Sequence, residues 1–285
     1  MQEKSLGTYA QNTWCPGCGN FAILNAVKAV LGELAKEGLP SENIVLVSGI
    51  GCHAKIVDYI NANSFYSLHG RVVSPAEAIK IANPKLKVIG FAGDGDAYGE
   101  GLEHLIFAAK RNIDITMIIH NNRVYGLTTG QYTPTSPLGF RGRSTPLGTK
   151  EPPINPLELM LASGASYLAR GTSHGIELLK KIFKEAITHK GFSLVDVLQV
   201  CVTYYNMYEY YDKRVYELKE HNPADFNRAS SKIREWDYNS DKPIALGTFY
   251  KKEAPSFQDS FTGDSQGLKA HEIDARIKQL LDSYI

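Results

Sequence analysis

The chain has little of what would mark a special environment. Cysteine is scarce, four in 285 residues, and the opening Met1-Gln2-Glu3-Lys4-Ser5-Leu6 forms no apolar signal segment. Disulfides are therefore disfavoured and the expected compartment is the reducing cytoplasm. Every apolar run is broken by charge or glycine well before about 18 residues, which excludes a helical membrane span. Neither sign of charge dominates: the net charge is +1, and basic residues are dispersed apart from Arg141, Arg143 and Lys150 in one loop. That pattern implies no nucleic-acid partner. Internal repeats and low-complexity tracts are absent. At 43% hydrophobic residues, the chain is expected to be a globular protein with one α/β core and an extension.

Strand-like and helix-like patterns alternate along it. Apolar residues at Ile23, Leu24, Ala26, Val27, Val30, Leu31 and Leu34 have the spacing of an amphipathic helix over 21–36, with Asn20 as N-cap. Short apolar runs at 43–50, 86–92, 114–120, 167–170 and 192–200 read as strands. Segments 74–82, 99–111, 155–162 and 175–188 read as helices. This alternation predicts an α/β fold with a mainly parallel sheet covered by helices on both faces. Residues 1–203 form the expected core domain and 204–285 a C-terminal extension packing on the core or on a partner. The extension opens on the aromatic segment Tyr204 to Tyr211, a composition suited to packing. Helix-like charge spacing follows at 213–221, then a late strand at 244–250, a flexible segment at 256–267 and an amphipathic helix at 270–281.

In an open α/β sheet, chemistry gathers beyond the carboxyl ends of the strands. The strand at 86–92 runs into Gly93-Asp94-Gly95-Asp96, and the strand at 114–120 into Asn121-Asn122-Arg123-Val124-Tyr125-Gly126. A hard cation such as Mg²⁺ takes carboxylate, amide and carbonyl oxygens, often with phosphate. Gly93 and Gly95 let backbone approach a diphosphate. Each half alone is an ordinary turn; together, after adjacent strands, they point to one cation–phosphate site. The cysteines form a second pattern. Cys15 and Cys18 sit in Trp14-Cys15-Pro16-Gly17-Cys18-Gly19, while Cys52 and Cys201 each follow an apolar run. Four thiolates are a full set for an iron–sulfur cluster. A structural zinc competes, although such sites usually use two close pairs; a thioredoxin-like Cys-x-x-Cys would leave Cys52 and Cys201 unexplained.

The Gly93-Asp94-Gly95 and Asn121-Asn122 pair resembles the thiamine diphosphate motif. Joined with Cys15-Pro16-Gly17-Cys18, Gly51-Cys52 and Cys201, it resembles the β subunit of 2-oxoacid:ferredoxin oxidoreductases. Segments His69-Gly70-Arg71, Gly126 to Gln131 and Thr133 to Ser136 are similar to that family as well, so the likeness covers nearly the whole chain. It implies that Asp94, Asn122 and the carbonyl of Val124 hold Mg²⁺. It also implies that Ile50, Gly51, Cys52, His53, Gly95, Asp96, Gly126 and Leu127 line thiamine diphosphate, and that Cys15, Cys18, Cys52 and Cys201 carry one 4Fe–4S cluster. His69 matches a histidine near the cofactor, against the competing reading of a core or loop histidine. Lys55 is the candidate for the substrate carboxylate, with a solvated lysine as the alternative.

The implied reaction is coenzyme A-dependent oxidative decarboxylation of a 2-oxoacid such as pyruvate or 2-oxoglutarate, giving acyl-CoA and CO2 and reducing ferredoxin. One α/β domain of this size is half of such an active site. An α subunit carrying the pyrimidine-binding domain, with its activating glutamate, is therefore the expected partner. Two other readings stay open at this point. One is a non-redox thiamine-dependent decarboxylase or carboligase subunit braced by four-cysteine zinc; the other is an interaction subunit without a working cofactor site.

Overall fold

The computed structural model describes residues 6–261 and 270–283. Its centre is an eight-stranded sheet: β1 (Ile44–Ser48), β2 (Asn63–Tyr66), β3 (Lys87–Gly93), β4 (Thr116–Asn121), β5 (Tyr167–Thr172), β6 (Ser193–Leu198), β7 (Val215–Glu217) and β8 (Ile244–Lys251). The spatial order is β2-β1-β3-β4-β6-β5-β8-β7. The first six strands are mutually parallel, β8 lies antiparallel beside β5, and β7 pairs parallel with β8. Residues beyond Cys201 thus enter the sheet itself.

Side chains alternate between two apolar layers, as the period of a strand requires. Ile89, Phe91, Ile118, Val195 and Val197 face the layer built with α1 (Asn20–Lys36). Val88, Ala92, Met117, Ile119 and Leu194 face the opposite layer, where α2 (Val73–Ala82), α3 (Leu102–Arg111) and α4 (Pro156–Ala162) pack. The first layer also holds the apolar face of α5 (Ile176–Thr188), packed against α1. Both faces are covered, so strands read as continuous apolar runs, and each large buried side chain contributes about 1.5–3 kcal/mol. A third cluster joins Tyr211, from α6 (Tyr208–Asp212), to Trp236, Tyr238, Ile244 and Leu246. The remaining helices are α7 (Phe226–Arg234), N-capped by the Asp225 side chain, and α8 (Ala270–Asp282).

Three local expectations change. Asn20 is the first residue of α1 and Gly19 its N-cap. The Asn20 side chain is buried and its Oδ1 lies 2.8 Å from His120 Nδ1, so its polar group serves the sheet instead of the helix end. Gly19 is required by close approach, since a Cβ there would lie 2.9 Å from the Val200 backbone nitrogen. The 213–221 stretch is not helical: Val215–Glu217 forms β7, drawn into register with Ile244, Ala245 and Leu246. The helix expected over 99–111 begins at Leu102, because Gly95–Glu100 form a π-type turn in which the Gly101 N–H reaches the Asp96 carbonyl at 2.9 Å. Of the segment expected at 256–267, residues 262–267 lie outside the described residues and Phe257–Phe261 make a 3₁₀ turn.

Candidate active site

Parallel register brings four carboxyl ends to one edge of the sheet: Ser48 pairs with Phe91, Gly93 with His120, and Asn121 with Leu198. Beyond them opens a cleft of about 370 Å³. It is lined by Ile50, Gly51, Cys52, His53, His69, Asp94, Gly95, Asp96, Asn122, Val124, Gly126 and Leu127, all singled out in the sequence. Gly93, Tyr125, Thr128 and Gln131 complete it. Lys55 stands elsewhere, on the 3₁₀ turn His53–Asp58, in a shallow depression with Thr8, Tyr9, Asp58 and Tyr59.

Asp94 lies at the base, 2% exposed, where its Oδ2 accepts a hydrogen bond from Thr135 Oγ1 at 2.7 Å. Burial pushes its carboxyl up to about 6, against the lowering effect of Thr133 and Thr135. Asn122 Oδ1 accepts from the Val124 N–H at 3.1 Å, closing a side-chain-to-backbone turn. Between them Arg123 takes φ +63°, a conformation a non-glycine residue adopts only when its surroundings hold it. The guanidinium does so: it is buried, Nε donates to the Thr135 carbonyl at 2.8 Å, and Nη2 donates to the Tyr238 carbonyl. Glycine at 95 is a steric requirement, since a Cβ would lie 2.2 Å from Tyr125 Cε1.

The raised pKa of Asp94 has a definite sign for stability. The metal-free native chain keeps a proton there that the unfolded chain loses near the ordinary aspartate value of 3.8. That contribution to stability is complete below the unfolded pKa and is lost as pH rises through about 6. A cation needs the ionised carboxylate, so its binding displaces the proton. The affinity of a hard divalent cation taken up by this carboxylate is expected to fall about tenfold per pH unit below about 6 and to level off above it, as calorimetric titration at several pH values would read.

The wall beside Asp94 is a histidine–carboxylate group. His53 Nε2 lies 2.9 Å from Asp96 Oδ2 without meeting hydrogen-bond geometry, and neither atom has a hydrogen-bond partner. Asp96 Oδ1 accepts the Gly70 N–H. His69 Nδ1 is 2.8 Å from the Ile50 carbonyl, an acceptor, which assigns a proton to that nitrogen. Its Nε2 is 3.1 Å from Glu100 Oε2, and the same carboxylate accepts from the Tyr125 hydroxyl at 3.0 Å. Behind them His120 is held neutral: burial first, then His53, pushes its pKa well down. In the sequence Tyr125 stands out only as part of the 121–126 strand-end segment, and Glu100 carries no motif; Glu100 ends the π-type turn, a form frequent at functional sites. Gly95→Ala is expected to displace the Tyr125 ring, to cost about 1–3 kcal/mol of stability and to weaken cofactor retention; melting with and without cofactor checks both.

All four cysteines are free thiols. Cys15 is exposed and the other three are half-buried. The Cys15–Cys18 turn is closed by the Cys18 N–H to the Cys15 carbonyl at 3.0 Å, with Gly17 at φ +81°. Burial pushes the Cys18 thiol up to about 12, and Cys201, Cys52 and Cys15 each add to that rise. Burial also raises Cys52, with Lys55 opposing. The four sulfurs therefore share one neighbourhood. Among the described residues, no group of three or more His, Cys, Asp or Glu side chains is placed to hold one metal ion. Gln199 Nε2 donates to Cys18 Sγ at 3.6 Å, Trp14 Nε1 to the Cys52 carbonyl at 2.6 Å, and Tyr208 OH to the Gly17 carbonyl at 2.8 Å. Gly126 stands at the junction: a Cβ there would be 3.6 Å from Cys52 Sγ, 3.7 Å from Cys201 Sγ and 3.7 Å from Asn122 Nδ2.

Residues 49–197 match the family model of the thiamine pyrophosphate enzymes' C-terminal TPP-binding domain. The parallel sheet and its cleft are thus a thiamine diphosphate-binding domain. Residues 201–264 match the C-terminal model of the pyruvate ferredoxin oxidoreductase β subunit. A 2-oxoacid:ferredoxin oxidoreductase β subunit of Saccharolobus solfataricus is 44% identical over 259 residues, 86% of this chain and 83% of that protein. The 2-oxoglutarate synthase subunit KorB of Methanothermobacter thermautotrophicus is 44% identical over 193 residues, 67% of this chain and 66% of that one. Among solved structures, a 2-oxoglutarate:ferredoxin oxidoreductase from Magnetococcus marinus, with 2-oxoglutarate, coenzyme A and succinyl-CoA bound, superposes with a TM-score of 0.87. It is 32% identical, and the match covers 95% of this chain and 94% of that one. The chain belongs to the β subunits of the 2-oxoacid:ferredoxin oxidoreductases. Among the described residues, no helix is long and apolar enough to cross a membrane.

Proposed function

We propose that this β subunit carries Mg²⁺ on Asp94, Asn122 and the Val124 carbonyl, thiamine diphosphate in the cleft above them, and one 4Fe–4S cluster on Cys15, Cys18, Cys52 and Cys201. The donor set suits the ion: one buried carboxylate, one amide oxygen and one carbonyl are hard ligands that leave room for diphosphate oxygens. Gly93, Gly95 and Gly126 leave the cleft wall without Cβ atoms where a diphosphate must come close. Four thiols that influence one another are a full set for one 4Fe–4S cluster.

The observation that carries the reading is Cys52, which both lines the cleft and belongs to the thiol set. A cluster held in part by Cys52 would border a cofactor held in the cleft, and would supply it with a one-electron acceptor. When bound, thiamine diphosphate supplies an electron sink for 2-oxoacid decarboxylation, and the cluster supplies one-electron acceptance. The chain's own side chains supply the frame: Asp94 binds the cation, the His53–Asp96 pair and His69 shape the wall, and neutral His120 keeps charge out of the layer behind.

Substrate is a 2-oxoacid, oxidised with coenzyme A to acyl-CoA and CO2 while ferredoxin is reduced. The cleft is open, and its apolar lining residues Ile50 and Leu127 are 42% and 48% exposed, a surface suited to closure by the α subunit with its activating glutamate. His69 is proposed as a substrate-side residue from its place on the cleft wall; Lys55 lies outside the cleft, and its candidacy for the substrate carboxylate rests on its charge acting on the cleft-lining Cys52. The test is product analysis of the assembled enzyme supplied with a 2-oxoacid and coenzyme A. Acyl-CoA formed in step with reduced ferredoxin supports the reading; CO2 release giving aldehyde, with ferredoxin left oxidised, would favour a non-redox decarboxylase.

A further inference from the structure

The sheet holds a carboxylate that the cleft does not use. Asp196 lies in the middle of β6, among Leu194, Val195, Val197 and Leu198, and is fully buried. Burying such a group costs several kcal/mol unless hydrogen bonds and opposite charge compensate it, and a strand in an α/β core needs only an apolar residue there. Both carboxylate oxygens are compensated. Asp196 Oδ1 accepts from Tyr98 OH at 2.9 Å and from Asn121 Nδ2 at 3.0 Å, and Oδ2 accepts from Tyr238 OH at 2.5 Å. Arg170, also fully buried, brings its Nε to 3.9 Å. Its guanidinium is boxed by the rings of Trp236, Tyr238 and Phe249 at 5.2–5.3 Å.

Two routes run from this group to the proposed cation ligands. Along the first, Asp196 fixes Asn121, whose Oδ1 faces Thr135 Oγ1 at 2.9 Å, and the same hydroxyl is 2.7 Å from Asp94 Oδ2. Along the second, the Tyr238 carbonyl accepts from Arg123, the residue between Asn122 and Val124, and Arg123 in turn donates to the Thr135 carbonyl. Tyr238 itself takes φ +62°, a conformation that must be held from both ends. The links close a ring: Tyr238, Asp196, Asn121, Thr135, Arg123 and back to Tyr238. None of the five lines the cleft.

We infer that Asp196 and Tyr238 are positioning residues for the Mg²⁺–diphosphate site, through which the segment after Cys201 holds Asp94, Asn122 and Val124 in binding geometry. The inference rests on the Mg²⁺ site proposed above. Outer partners of metal ligands typically govern affinity by about 10–100-fold. Calorimetric titration of Mg²⁺ into the assembled enzyme with thiamine diphosphate present is the test. Tyr238→Phe removes one hydroxyl and leaves the carbonyl to Arg123 in place; it is expected to weaken Mg²⁺ about tenfold or more, as is Asp196→Asn. Thr135→Val should weaken it likewise, Thr135→Ser should restore it, and the Tyr238→Phe/Thr135→Val double variant should fall short of the product of the single losses, because both lie in one network. If Tyr238→Phe does not fold, Tyr98→Phe removes another donor to the same carboxylate. Affinities within twofold of the unsubstituted enzyme, or a lowered melting temperature with unchanged affinity of the folded protein, would overturn the inference and leave the network a stability device. Asp94→Ala in the same series separates the two levels. If it too leaves Mg²⁺ affinity unchanged, the site assignment has failed; if it alone abolishes binding, only the positioning role has.

Discussion

Cys18→Ala is expected to lower ferredoxin reduction by at least about a hundredfold, the upper end of what losing an outer partner alone costs, and to leave thiamine diphosphate bound. Three of the four thiols would remain, one short of the set that holds a 4Fe–4S cluster. The Gln199 amide, now 3.6 Å from Cys18 Sγ, would lose its sulfur acceptor. Cys18 is the informative choice because it does not line the cleft, whereas Cys52 does. A change at Cys52 would perturb both cofactors at once. Iron content, visible absorption and extracted thiamine diphosphate, measured on the same anaerobic preparation, separate the two. Unchanged electron transfer would remove the cluster from these cysteines.

Asp94→Ala should release both Mg²⁺ and thiamine diphosphate, with a loss of retention of about a hundredfold or more, since a ligand counts for at least as much as the outer partners that support it. Asp94 is the one carboxylate at the base of the cleft that is paired with a hydroxyl, through Thr135, and not with a histidine. Removing it leaves the Thr135 hydroxyl with Asn121 Oδ1 at 2.9 Å and Thr133 Oγ1 at 3.4 Å. Asp94→Asn keeps the volume and an acceptor for Thr135 while deleting the charge, so comparing the two variants separates charge from packing. Desalting followed by thiamine and magnesium analysis reads the result. Normal retention in both variants would place the diphosphate elsewhere.

The parts of this chain visible in its sequence are those whose signal is local. Apolar runs ending in Gly-Asp-Gly or Asn-Asn announced both strand and strand end, because a buried parallel strand and the turn leaving it are written in consecutive residues. The structure then gathers Ile50 to His53, Asp94 to Asp96, Asn122 and Val124 to Leu127 around one cleft. Signals that depend on distant partners stayed hidden. β2, Asn63-Ser64-Phe65-Tyr66, is an exposed edge strand with no apolar alternation and takes its form from pairing with β1. Val215–Glu217 sits among charges that mimic a helical face, and β8 makes it a strand. Asn20 has the chemistry of an N-cap, yet His120, a hundred positions away, claims its side chain. The Asp196 ring is the extreme case, joining positions 121, 135, 196 and 238 through contacts no sequence window contains. Lys55 is close to Cys52 in sequence, but the 3₁₀ turn carries it to a different depression.

The central claim is that this cleft feeds electrons to a cluster on the same chain. The most direct measurement is anaerobic purification with the α subunit, analysis for iron, sulfide and zinc, and low-temperature paramagnetic resonance before and after adding a 2-oxoacid. About four irons per β chain, the content of one cubane cluster, with a radical or reduced-cluster signal that appears only on substrate addition, is the result expected. Stoichiometric zinc with no iron and no substrate-dependent signal would contradict it.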